Sequence, residues 1–128
     1  MNDDGVVSVL MLSLLALAAL LCLAVADAAN VLLARARAQT AADAAALAAA
    51  AVQWRVSGSS GDPTVAAQSI AEANGARLES CSCALRGETA VVTVSIGTHI
   101  RMLGVAPGRV TATATARVDV GRVFAPTG

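Results

Sequence analysis

A chain of 128 residues has room for one small domain and an anchor, and 56% of its residues are hydrophobic. That content is Ala, Val and Leu, because Trp54 and Phe124 are the only aromatic residues, so the sequence is poorly supplied for a large independent core. Nine arginines balance nine acidic residues with no lysine, and this zero net charge offers no basic or acidic block for nucleic acid or for an anionic membrane surface.

From Gly5 to Ala26 the sequence GVVSVLMLSLLALAALLCLAVA runs for 22 positions without a charge. As a helix rising about 1.5 Å per residue it measures roughly 33 Å, against a bilayer core of about 30 Å, so it is expected to cross a membrane. Three processing fates fit this stretch. A secretory signal peptide has a basic n-region and a shorter apolar core; here the n-region MNDDG is acidic, although Ala24, Ala26 and Ala28 offer small-residue peptidase sites. An uncleaved single-span anchor is the second. The third is a leader of residues 1–5, cut between Gly5 and Val6 by a prepilin-type peptidase, which leaves a mature chain that begins with its apolar helix.

No Gly or Pro interrupts the chain from Val6 through Ser57, and Ala, Leu, Arg and Gln are strong helix formers. The helix is therefore predicted to continue past the membrane to about Trp54, a length on the order of 70 Å. Its outer part, ARARAQTAADAAALAAAA (Ala34 to Ala51), has no bulky apolar stripe, since nearby only Leu32, Leu33, Leu47, Val52 and Trp54 are large. Methyl-sized side chains bury little area, so this stretch is not expected to dock strongly on a globular core of its own. They do let helix backbones approach closely, as small residues do between membrane helices. Gln39, Thr40, Ala42, Asp43, Ala46, Leu47 and Ala50 are the residues expected at such a helix-packing interface. A simple alanine-rich spacer is the competing reading. Asp27 and Asn30, one turn apart at the membrane exit, are read as solvated interfacial groups or as hydrogen-bond partners of neighbouring helices.

The span together with NVLLARARAQTAADAAALAAAA resembles the N-terminal region of TadE/TadG-like proteins, minor-pilin-like components of tight-adherence (Flp-type) pilus and secretion systems, and in particular the short actinobacterial TadE-like proteins. The block from Gln39 to Ala50 carries most of the likeness, which covers about the first 55 residues. The resemblance implies a single-pass protein of the cell membrane whose C-terminal domain faces outward, with membrane lipid and other pilin-like or Tad-type subunits as partners in a hetero- or homo-oligomer built through the long helix. It implies a role in pilus assembly, adhesion or secretion, with no catalytic activity and no cofactor. Two features depart from the pattern. Type IV pilins usually carry a Glu five residues into the mature helix, a position that, counted from Val6, is Leu10. Asp3 and Asp4 precede the span while Arg35 and Arg37 follow it, a charge bias that by itself would leave the C-terminal domain in the cytoplasm.

After the helix, SGSSGDP (Ser57 to Pro63) is turn chemistry and marks the start of a second unit. Asp62 is placed to cap a short helix with Pro63 at its first position, and Gly75 to stop it after Asn74. An approximate apolar stripe of Val65, Ala66, Ile70, Ala73 and Leu78 is expected to face the core. Three segments then alternate with period two, Leu78 to Leu85, Thr89 to Thr98 and Val110 to Val120, as in an antiparallel meander with one buried face. Arg86 to Glu88 reads as a tight hairpin and Thr98 to Arg109 as a longer loop. The uncharged AVVTVSI, Ala90 to Ile96, reads as a covered central strand, or else as an edge open to pairing with a partner.

Cys22 lies in the apolar span as a small hydrophobe. Cys81 and Cys83 point the same way on one strand with Cα atoms about 6.5 Å apart, near the upper limit for a disulfide, so a CxC bridge and two free or intermolecular thiols both remain open. With His99 they make only three soft ligands, short of a structural zinc site. There is no Lys or Tyr, Glu72, Glu79 and Glu88 read as solvated surface charge, and no glycine-rich phosphate loop follows a strand, so catalysis is not expected. The expected architecture is α+β and pilin-like: a leader-like segment (residues 1–5), a transmembrane and extended alanine-rich helix (6–56), a linker (57–62) and a small head (63–128) of a short helix and a three-stranded antiparallel sheet. The functional expectation is a non-enzymatic, membrane-anchored TadE-like pseudopilin that acts by helix packing. The alternative is a single-span tethered or secreted accessory or binding domain with no filament role.

Overall fold

The computed structural model describes residues 3–54, 61–85, 87–98 and 108–118. The chain runs α1 (Asp3–Trp54), α2 (Pro63–Ala73), β1 (Arg77–Cys83), β2 (Thr89–Thr98) and β3 (Gly108–Arg117). The strands form one sheet in the order β1-β2-β3 with both pairs antiparallel, which is the α+β arrangement expected. The stretch AVVTVSI lies on the central strand, so β2 offers no free edge. His99, most of the β2–β3 loop, the linker residues 55–60, Arg86, Val120 and Phe124 lie outside the described residues.

At 52 residues α1 is about 78 Å long. It has an 18-residue window with a mean hydropathy of 2.9, none of it buried within the protein, and is long and apolar enough to cross a membrane. α2 is defined by its ends. The Asp62 carboxylate accepts from the Thr64 N–H at 2.8 Å, and Pro63 opens the helix, where a missing N–H costs nothing. At the other end Gly75 takes φ 70°, and the N–H groups of Ala76 and Gly75 donate to the carbonyls of Ala71 and Glu72, both at 2.9 Å, a Schellman closure that needs a residue without Cβ.

Alternation places Ala90, Val92 and Val94 of β2 and Ala114 and Ala116 of β3 inside, with Thr111, Thr113 and Thr115 exposed on the opposite face. Thr93 and Thr113, directly opposed on that outer face, share a hydrogen bond of 2.9 Å. β1 departs from strict alternation. The register shifts between Leu78 and Ser80, leaving Glu79 as an extra residue, and this bulge puts Leu78, Cys81 and Cys83 on the inner face together. Without it Leu78 and the two cysteines would point to opposite sides. The Glu79 carboxylate accepts from the Ser95 hydroxyl and lies 3.6 Å from the Arg109 guanidinium, a surface pair of modest worth. Leu85, expected within the strand, lies beyond its end and is exposed.

The core corrects two expectations. Of its 14 buried residues twelve are alanine and two are Val92 and Val94, and six of the alanines, from Ala41 to Ala50, belong to α1. The alanine-rich part of α1 does dock on a globular core of its own, which the small area per methyl argued against. Close approach across many such contacts substitutes for bulk. For the same reason α2 turns Pro63, Ala67 and Ala71 inward with Ile70 partly covered, while Val65 and Ala73 of the expected stripe stay exposed. A larger side chain on that face would hold the helices apart.

This packing predicts that Ala45→Leu, at a site with no exposure, destabilises the head by about 1–3 kcal/mol through overpacking, while Leu47→Ala, at an exposed site, leaves it unchanged. Limited proteolysis of the full chain across a urea series measures both.

Candidate functional site: the two faces of the long helix

Around α1 the outer part has two distinct sides. Ala34, Ala38, Ala41, Ala42, Ala45, Ala46, Ala49 and Ala50 are buried, in steps of three and four that keep them on one half of the helix. Leu32, Ala36, Thr40 and Ala51 are exposed on the other half, and Leu33, Asp43 and Leu47 are exposed at its borders, Leu33 beside the end of β2 and Asp43 and Leu47 beside β3. The seven residues expected at a helix-packing interface are therefore divided. Ala42, Ala46 and Ala50 are taken up by contact with the protein's own head, whereas Gln39, Thr40, Asp43 and Leu47 face outward.

The outward polar groups are satisfied along the helix itself. The Gln39 amide donates to the Asp43 carboxylate at 3.1 Å, and the Thr40 hydroxyl donates to the Ala36 carbonyl at 3.0 Å. A neighbouring helix would meet that face without leaving these groups stranded. At the far end Gln53 is buried and its amide donates to the Ala84 carbonyl at 2.7 Å; the same carbonyl receives the Gly87 N–H at 2.9 Å, which closes the turn after β1. The sequence reading missed this tie, for which a lone amide after an alanine run was the available signal. A Cβ on Gly87 would come within 2.9 Å of that carbonyl, so the turn is built for glycine.

Gly5 and Val6 lie in the first turns of α1 and are exposed. Cys81 and Cys83 are joined in a disulfide, with Cα atoms 5.4 Å apart, inside the usual range, and both sulfurs sit on the half-buried inner side of β1. Cys22 is a free, exposed thiol within the span. Among the described residues no group of three or more His, Cys, Asp or Glu side chains is placed to hold a metal ion.

Residues 5–52 match the family model described as putative Flp pilus-assembly TadE/G-like. That likeness covers 48 of the 128 residues. The match spans nearly all of α1 and stops before α2 and the sheet. Comparison with curated proteins and with solved structures gave no match. A TadE/G-like domain implies involvement in Flp pilus assembly, and it suggests a structural protein that meets other Tad subunits. The apolar N-terminal half of the helix is compatible with single-pass anchoring.

In membranes whose thiols are alkylated in situ before lysis, the protein is expected to carry one label, on Cys22, and three after reduction. Three labels without reductant would show the bridge absent in the cell. Because the closed ring spans only three residues, reduction is expected to cost the head no more than roughly 1–2 kcal/mol.

Proposed function

We propose that this chain is a non-enzymatic, membrane-anchored minor-pilin-like subunit of a Flp-type pilus or related secretion system, which packs against partner helices through the exposed side of α1. The observation that carries this reading is the coincidence of the family match with a helix whose one face is filled by its own head and whose other face is free, apolar and self-satisfied in its hydrogen bonds. Leu32 supplies bulk on that face and Leu47 at its border with β3, 64% and 66% exposed, and Ala36 and Ala51 leave room for a neighbouring backbone. The mature subunit begins at Val6, the head faces the outside, and the Cys81–Cys83 bridge suits an oxidising compartment. A neutral Leu10 in place of a charged residue suits an accessory subunit that does not rely on pairing with a neighbour's amino terminus.

A photo-crosslinking residue at Leu47 or Ala36 is expected to trap other assembly subunits in intact cells, while the same residue at Gln68, exposed on α2, traps none. Equal trapping at Gln68 and Leu47, or none at either position on α1, would overturn the helix-packing mechanism. N-terminal sequencing of the cellular protein is expected to begin at Val6. A start after Ala26 or Ala28 indicates secretion, and retention of Met1 a plain anchor.

A further inference from the structure

Where α1 leaves its charge-free stretch, the head does not stand clear of it. The end of β2, Ile96 to Thr98, overhangs one side of the helix and encloses a cleft of about 820 Å³ against it. The α1 wall of this cleft follows steps of three and four residues, from Leu20 and Leu23 through Asn30 and Ala34 to Arg37. The lower part is apolar and belongs to the membrane-length segment. Above it come the Asp27 carboxylate, the Asn30 amide and, at the top, the Arg37 cation.

We infer that this cleft holds one anionic phospholipid drawn from the surrounding bilayer, with its phosphate at Arg37 and Asn30 and an acyl chain along Leu20, Leu23 and Leu33. The lipid identity follows from continuity: Leu20 and Leu23 lie inside the 22-residue charge-free run, so the lower cleft opens into hydrocarbon and water would be excluded from it. The anionic preference follows from Arg37, which sits one turn beyond Leu33 on the same face. Helical side chains lean toward the N-terminus, here toward the bilayer, and a long arginine reaches down to the phosphate level. Arginine also presents a planar fork that matches phosphate oxygens. Asp27, on the same wall, is already engaged within the protein. The chain has no polybasic block to gather anionic lipid generally, so the preference is local to this cleft. The proposal rests on α1 crossing a bilayer and is independent of any filament role.

The full-length protein is reconstituted into vesicles of equimolar phosphatidylglycerol and phosphatidylcholine, released in mild neutral detergent, and weighed by native mass spectrometry. One retained phosphatidylglycerol is expected, in preference to phosphatidylcholine. Arg37→Ala is expected to lower that retention about tenfold, the loss that follows from one charged hydrogen bond, and Asn30→Leu to lower it less. Arg35→Ala removes the same charge about 160° away around the helix and is expected to leave retention unchanged. Both arginines are exposed, so neither substitution threatens the fold, and circular dichroism verifies this. No retained lipid, equal retention of the two lipids, or equal losses in the two arginine variants would each overturn the assignment. Resistance to alkaline carbonate extraction reports separately whether the helix spans the vesicle membrane.

Discussion

Contact between α1 and the rest of the chain is made almost wholly of methyl groups, and the distance of approach that methyls permit governs everything above the membrane. Each alanine contributes little by itself, yet a surface of small side chains lets α2, β2 and β3 lie close along one helix. The two bulkiest fully buried residues of the sheet, Val92 and Val94, come from the central strand and meet the alanine face. Without α1 the inner face of the sheet would retain, among the described residues, only α2 as cover, which is too little for a core with so few bulky residues. The helix whose apolar half is compatible with anchoring is thus also a wall of the head. Cleavage after Ala26 or Ala28 would spare that wall, since its buried positions begin at Ala34.

The circumference of the helix is divided between two kinds of surface. Toward the head it presents small residues from Ala34 to Ala50, with Gln53 beyond them. Away from the head it mixes Leu32, and Leu47 at the border with β3, with Ala36, Thr40 and Ala51, a surface that combines bulk with room for a neighbouring backbone. The polar residues on that side spend their hydrogen bonds along the helix, Gln39 with Asp43 and Thr40 with the Ala36 carbonyl. Burying such groups costs less than burying free ones.

Much of this was legible in the sequence where a residue has a mechanism attached to it. Asp62 and Pro63 start α2 and Gly75 ends it because a cap, a missing N–H and a positive φ each demand those residue types. The alternation of β2 and β3 survives intact because each strand has one wet face. What escaped was decided by small side chains and by one extra residue. Bulk-weighted periodicity pointed to Val65 and Ala73 on α2, whereas close packing selected Ala67 and Ala71. The Glu79 bulge has no marker in LESCSC, yet it alone brings Leu78 to the side of the cysteines. The partition of Gln39 to Ala50 into inward and outward sets likewise needed the position of the head.

The direction of the strands limits how copies of this protein can meet. Ile96 to Thr98 of β2 lie beside the membrane-proximal part of α1, while Ala114 to Ala116 of β3 lie beside Asp43 to Leu47 farther out. From Ile96 to Val92, the partner of Ala114, is about 13 Å along the sheet, and from Ala34 to Ala46 is about 18 Å along the helix, so the strands cross the helix obliquely, with β3 running toward the end of α1 that lies away from the charge-free stretch. Among the described residues β3 is an edge strand without the bulge that β1 carries, and its outer side is a place where another strand could add. Antiparallel pairing of β3 with β3 would reverse the direction of one α1 relative to the other. Two spans in one bilayer with their heads on the same side cannot satisfy that geometry. Copies that share a membrane with heads on the same side would meet with their helices parallel, and the side of α1 that carries Leu32, Ala36 and Thr40 is exposed for such a contact.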